Sequence, residues 1–357
     1  MKKITSVLLA LALMLSLVLP LTSCEKKEKL VVCNWGEYIA DGSDDTMDVI
    51  AEFEKRFNVE VEYVVAETNE TLYSLMKSGS VKYDVVFPSD YMVEKMVREN
   101  MLAEINFDNI PNFKNIMPEF KNPDYDPQNR FSVPYFWGTV GMIYNESLLT
   151  EEDVEKIQSA PDFEMLWSDQ YPNQIMMIAN PRDAFGVALK TLGYSQNTTD
   201  PEEIRAAAAK LKEQKFLYYM DEFFTAMPND SLALGVYYAG DYMTVAEENE
   251  NLKFVIPECG TNIFNDAMCI PSNAQNKELA EKFINFMLEA DVGKANTEFV
   301  RYSTPNQAVY DILEEDLKDS EIAYPERRDS WEAFRDLPEE TNALIRDLWA
   351  EIITENK

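Results

Sequence analysis

The chain has 357 residues, with 64 Asp or Glu against 32 Lys or Arg, no His, and a net charge of −32. A field of that sign repels phosphate backbones and excludes nucleic acid as a partner, while the lack of His excludes Ser-His-Asp and Cys-His catalysis and most zinc sites. Hydrophobic residues at 46% supply a large core, and the length points to two domains.

Residues 1–23 read as a leader: Lys2 and Lys3 are positive, Val7 to Leu19 are apolar, and "LTSC" closes the segment as a lipoprotein signal does. Cys24 is then the expected mature N-terminus and the atom that carries lipid. An uncleaved transmembrane anchor is the alternative, but the stretch is short for a bilayer of roughly 30 Å. Lipid on Cys24 would hold the protein on the outer face of the cell membrane through a polar tether, residues 24–29. Loss of Lys2 and Lys3 takes the net charge from −32 to −34. Of the remaining thiols, Cys259 and Cys269 flank an expected hairpin and are candidates for pairing; with Cys33 they read equally as small buried hydrophobes.

Past the tether, short apolar strands alternate with helical patterns. "LVVC" (30–33), "VEYVV" (61–65) and "DVVFP" (84–88) read as strands, and Ile50, Phe53 and Phe57 mark one face of a helix opened by Ser43 or Asp44. "NPDYDPQN" (122–129) reads as a surface loop. "IMMIA" (175–179), "LGVYY" (234–238), "FVIP" (254–257) and "DAMCIP" (266–271) continue the strands. Helices are expected at the Ala-rich 202–212, at the stripe Leu279, Phe283, Phe286 and Met287, and at Leu344, Ile345, Leu348, Trp349 and Ile352. The alternation predicts an α/β fold around a parallel sheet.

In open α/β sheets, ligands sit outside the carboxyl ends of strands. There the sequence places Trp35, Glu37 and Tyr38; Ser89, Asp90 and Tyr91; Arg182 and Asp183; Asp241; and, at the head of a strand, Phe264 and Asp266. Carboxylates and rings together suit a flexible ligand with an apolar middle and ammonium groups. Charge-assisted hydrogen bonds to ammonium contribute about 1.5–3 kcal/mol each and cation–π contacts about 0.5–2 kcal/mol. Taken singly, each ring is more often a core residue and each acid a surface or capping one, so the constellation carries the argument. With carboxylates titrating near about 4, alkyl ammoniums near about 10 and no His between them, ligand affinity is expected to change little from about pH 6 to 8.

The motifs "NWGEYI", "DVVFPSDYMVEKM", "SVPYFWGTVGMIYN", "PRDAFGVALKTLGYSQNTTDPEEI", "DAMCIPSNAQNKELAEKFINFML" and "YSTPN", in that order, give the chain a resemblance to the spermidine/putrescine-binding proteins of polyamine ABC transporters. The resemblance implies a two-lobed type II periplasmic-binding-protein fold, α/β in both lobes, with a hinge, two crossings and a central cleft. It implies lobes at 30–137 plus 264–305 and at 138–263 plus 306–357, a polyamine ligand, an ABC permease as partner, and no cofactor, metal or catalysis. By position, Trp35, Tyr38, Tyr91, Tyr238, Phe264 and Tyr302 would be ring walls, and Glu37 and Ser89 polar contacts. Asp183 would hold one terminal amine and Asp266 anchor another, while Asp241 resembles the acid of putrescine-preferring members.

The chain departs from the family at Gly36, where a hydroxyl residue is common, at Asn180 for a frequent Asp, and at Tyr238 and Phe264 for frequent Trp. Arg335, in "FRDLP", stands where some members place a Gln against the middle of the ligand. Two rivals are weighed against this reading. Paired carboxylates could serve sugar hydrolysis, but no nucleotide motif or His accompanies them. A same-fold binder of ferric iron could use the doublets Tyr218-Tyr219 and Tyr237-Tyr238, although a Tyr doublet in a strand ordinarily places one ring in and one out.

Overall fold

The computed structural model describes residues 27–355. The expected leader, the expected lipid site Cys24 and the start of the tether lie outside the described residues. Among the described residues no helix is long and apolar enough to cross a membrane.

β1 (Lys29–Asn34) pairs in parallel with β2 (Glu60–Val65) and β3 (Val85–Val86). Between them run α1 (Val49–Phe57) and α2 (Asn69–Ser78). α1 begins later than expected: Asp48 is its cap, accepting from the Ala51 N–H, and Ser43–Asp45 is a separate short turn that ends where Thr46 becomes extended. Phe53 is fully buried, but Phe57, at the end of the stripe, is 36% exposed. α3 (Asp90–Arg98) follows β3.

β4 (Ser132–Asn145) is fourteen residues long and buried throughout. After it come α4 (Glu151–Ser159), β5 (Ile175–Ile178), α5 (Pro181–Thr191), α6 (Pro201–Lys212), β6 (Leu217–Tyr219), β7 (Leu234–Tyr238) and α7 (Ala239–Ala246). Then β8 (Leu252–Val255), β9 (Ile263–Cys269), α8 (Lys277–Met287), α9 (Ala290–Val300) and α10 (Glu339–Glu355) complete the fold. β8 covers 252–255 rather than 254–257, because the chain leaves the ladder before Pro257.

The strand order is β2-β1-β3-β9-β4-β7-β5-β6, with β8 also on β4. The sheet is mixed, not parallel: β9 lies antiparallel to β3 and β4, and β4 antiparallel to β7 and β8. β4 joins two half-sheets. Ser132 to Thr139 pair with β9, and Val140 to Asn145 with β7 and β8. Each half has its own core, one around Phe53, Phe87, Phe283 and Phe286, the other around Met176, Phe185, Phe223 and Val236. This is the two-lobed type II architecture.

A third stretch of chain, the strap 331–337, also passes between the halves. Glu332 bridges Asn262, Phe334 packs with Tyr91 and Met92, and Leu337 packs in the other core beside Ile345. Of the two readings for Cys259 and Cys269, the structure shows the unpaired one: both are free thiols. β8 and β9 form no hairpin, since each pairs with a different stretch of β4. The loop 122–129 is anchored rather than simply exposed, because buried Asp126 accepts from the N–H groups of Arg130, Phe131 and Ser132.

Candidate ligand cleft

Three aspartates meet three tyrosines where the half-sheets join. The Tyr38 hydroxyl donates to Asp266 Oδ2 at 2.7 Å, Tyr302 to Asp241 Oδ2 at 2.8 Å, and Tyr238 to Asp183 Oδ2 at 2.8 Å. Their rings, with Phe264, form a continuous wall. Centroids are 5.1 Å apart from Tyr38 to Tyr302, 6.0 Å from Tyr302 to Phe264 and 5.4 Å from Phe264 to Tyr238, all tilted or edge-to-face.

Local structure fixes each pair. Tyr38 follows β1 in a loop held by Asn34, whose Oδ1 accepts from the Trp35 N–H, and by the Tyr135 hydroxyl, which donates to the Tyr38 carbonyl at 2.8 Å. Phe264 and Asp266 alternate along β9 and so share a face. Gly138, paired with Phe264, lets that ring lie across β4, since a Cβ there would stand 2.8 Å from it. Gly240 admits the Tyr302 ring, which a Cβ would meet at 2.1 Å. Asp183 and Asp241 occupy the first turns of α5 and α7, at the positive ends of the helix dipoles.

The wall is desolvated, and its acids titrate high. Burial raises Asp266 and Asp183 to about 6 and Asp241 to about 7, the last helped by the charge of Glu37. Asp90, one residue past Ser89, is raised by burial to about 8 although it accepts from the Tyr91 and Asn265 N–H groups. The expectation of pH-independent affinity rested on ordinary carboxylate values, and this cleft does not offer them. Asp266 Oδ1 is buried with no hydrogen-bond partner, an acceptor that a cationic donor would complete.

The other expected site residues are placed differently. Ser89 is half-buried; its Oγ accepts from Asn69 Nδ2 at 2.9 Å, and its hydroxyl faces the Asp266 carboxylate, where it opposes the rise in pKa that burial causes. Tyr91 is buried but turns to Glu70, donating at 3.0 Å. Trp35 is half-buried against the first core, and Glu37 is exposed with a left-handed φ of 51°. Asn180 caps α5 through the Arg182 N–H. Arg335 does not reach the wall; it grips Glu94 of α3 through Nη2 at 2.6 Å and Nε at 3.0 Å.

Arg182 is a buried cation that the strand-end survey named without a role. Its guanidinium lies over the Phe334 ring at 4.5 Å and the Tyr91 ring at 5.4 Å. The tyrosine doublets do not present phenolates for iron. Tyr237 stacks on Phe223 at 4.0 Å and donates to the Met220 carbonyl, Tyr218 packs on Trp349, and burial holds both hydroxyls far above their ordinary range.

Residues 48–325 match the family described as bacterial extracellular solute-binding protein. The chain belongs to that family. It is 35% identical over 332 residues to the spermidine/putrescine-binding periplasmic protein of Salmonella typhimurium, covering 91% of each chain. It is 27% identical over 333 residues to the putrescine-binding periplasmic protein PotF of Escherichia coli, covering 85% of each. Among solved structures, a spermidine/putrescine ABC transporter protein of Listeria monocytogenes superposes with a TM-score of 0.83 at 32% identity, covering 92% of this chain and 99% of that one. PotD of Streptococcus pneumoniae superposes at 0.76 with 34% identity, covering 92% and 100%. These are binding proteins of transport systems, not enzymes, and the chain is a solute-binding protein of the same kind.

Proposed function

We propose that the wall of paired tyrosines and aspartates binds a polyamine, putrescine or spermidine, outside the cytoplasm and delivers it to an ABC permease. The buried, unpartnered oxygen of Asp266 carries this reading: it needs a donor, and an ammonium supplies both the hydrogen bond and the counter-charge. Rings from Tyr38 to Tyr238 would cover the methylenes between amines. Trp35, Glu37, Ser89 and Tyr91 belong to the mouth and flank of this cleft, and the lobes are bounded at 30–137 plus 264–305 and 138–263 plus 306–357, with the strap 331–337 touching both. Lipid on Cys24 would keep the protein at the outer face of the membrane.

Calorimetry with putrescine, cadaverine, spermidine, spermine and Fe(III) tests the ligand. Micromolar or tighter binding of at least one polyamine is expected, and a protein that binds iron but no amine overturns the reading. Cys24→Ser tests the anchor separately, since it should abolish incorporation of labelled fatty acid that the unaltered protein takes up.

A further inference from the structure

Asn262 lies on the chain crossing just before β9, 5% exposed, with no role in the strand-end survey. Extended chain alternates, so Asn262 falls on the same side as Phe264 and Asp266. Its Nδ2 donates to Asp183 Oδ1 at 3.5 Å, which turns its Oδ1 away from that carboxylate. That oxygen is buried and has no hydrogen-bond partner. Two buried acceptors therefore stand unfilled on one row of the cleft floor, Asp266 Oδ1 at one end and Asn262 Oδ1 at the other, with the Phe264 ring between them.

The spacing of that row selects a ligand length. Four residues of strand separate the two Cα atoms by about 13 Å. Extended chain covers roughly 3.3–3.6 Å per three bonds, so a four-carbon diamine with five bonds between nitrogens spans about 6 Å and a triamine with nine bonds about 11 Å. A diamine anchored on Asp266 reaches only to the neighbouring Tyr302–Asp241 pair. A triamine of spermidine's length passes over Phe264 and arrives at Asn262 and Asp183.

Building on the polyamine reading, we infer that the Asn262 amide oxygen accepts from the far amine of a triamine and extends the cleft's range from diamines to spermidine-length ligands. A neutral acceptor suits that position, because Asp183 already supplies the charge beside it. The amide also orients the Asp183 carboxylate, so one side chain positions the acid and contributes the second acceptor.

The test measures affinities of putrescine and spermidine by calorimetry for the unaltered protein, Asn262→Leu and Asn262→Asp. Asn262→Leu is expected to lower the spermidine-to-putrescine affinity ratio about ten- to a hundredfold, the range of one charge-assisted hydrogen bond. Asn262→Asp should keep or raise that ratio. Asn262→Leu also removes the Nδ2 donor from Asp183, so putrescine affinity is the internal control: a ratio that falls while putrescine affinity holds separates a ligand contact from a merely structural amide. A ratio unchanged in both variants overturns the inference while leaving polyamine binding intact. An unaltered protein that binds neither amine overturns the polyamine reading itself, and this inference with it.

Discussion

Asp84 and Asp266 lie at opposite ends of the first half-sheet, and they are 1% and 5% exposed. Asp84 precedes β3, at the amino end of the parallel strands. Its two oxygens accept from the N–H groups of Val31 at 3.0 Å, Gln275 at 2.7 Å and Asn276 at 2.8 Å, so main chain from two distant segments is tied to one carboxylate. Asp266, at the carboxyl ends, meets only side-chain hydroxyls, Tyr38 on Oδ2 and Ser89 beside it, and no backbone N–H, with Oδ1 left without a hydrogen bond. Asp126 repeats the first pattern, while Asp241, like Asp266, takes a tyrosine hydroxyl and no backbone N–H. A buried acid saturated by backbone N–H groups holds the fold together, whereas one left partly unfilled costs the empty fold and is retained for what it binds. Burial alone does not separate structural acids from functional ones; the identity of the donors does.

The same substitution at both ends breaks this comparison most directly. Asp84→Asn puts an amide N–H against backbone donors and is expected to lower stability by about 3 kcal/mol, read from urea denaturation. Asp266→Asn removes a desolvated charge that no ion pair offsets. Its unliganded stability at about pH 8 should equal or exceed the unaltered protein's, while polyamine affinity falls by about 2 kcal/mol or more. Equal destabilisation by both would mean that Asp266 is structural, and the cleft reading would fail.

A pH series sharpens the comparison without any mutation. Asp266, Asp183 and Asp241 have folded values of about 6, 6 and 7, and Asp90 about 8, all above the ordinary 3.8. A raised value stabilises the fold below about pH 4, and the contribution is lost as pH rises through the folded values. The unliganded protein should therefore lose stability from about pH 4 to 8. A bound ammonium favours the ionised form, so binding releases protons and affinity should rise over the same range before levelling off. Calorimetry in buffers of different ionisation enthalpy counts the protons. Affinity that is flat from about pH 5.5 to 8 would show that these acids are ionised in the empty cleft.

Much of this was legible in the sequence, because strand and helix periodicities and the strand-end rule depend on local pattern. Tyr38, Asp183, Tyr238, Asp241, Phe264, Asp266 and Tyr302 fall on one wall. The antiparallel returns of β4 and β9 were not legible, since an apolar run does not announce its partner or direction. Nor was the strap at 331–337, which has no periodicity and is fixed by long-range contacts such as Lys190 to Glu332 and Arg335 to Glu94. Tyr91 was expected as a cleft wall, but its hydroxyl turns to Glu70 of α2, a pairing between neighbouring helices that no local pattern announces. The raised carboxyl values depend on desolvation, which only the packed wall creates. Asn262 was within reach, since a polar residue two before Phe264 on an extended segment shares its face.

The smallest expected effect concerns Asp241, the half-buried member of the three pairs. Asp241→Asn should weaken putrescine by about 1 kcal/mol, less than the loss at Asp266, because an acid raised to about 7 must give up its proton before it pairs with an ammonium. Spermidine should lose less than putrescine, since a triamine passing over Phe264 seats its far amine on Asp183 and uses Asp241 only in passing. The Tyr302 hydroxyl can still donate to an amide oxygen, so the ring wall and the unliganded melting temperature should stay near those of the unaltered protein. Paired titrations of the two amines decide the matter. If Asp241→Asn weakens both equally, then the acid acts through the general field of the cleft and not as a diamine seat, and ligand length is read elsewhere along the wall.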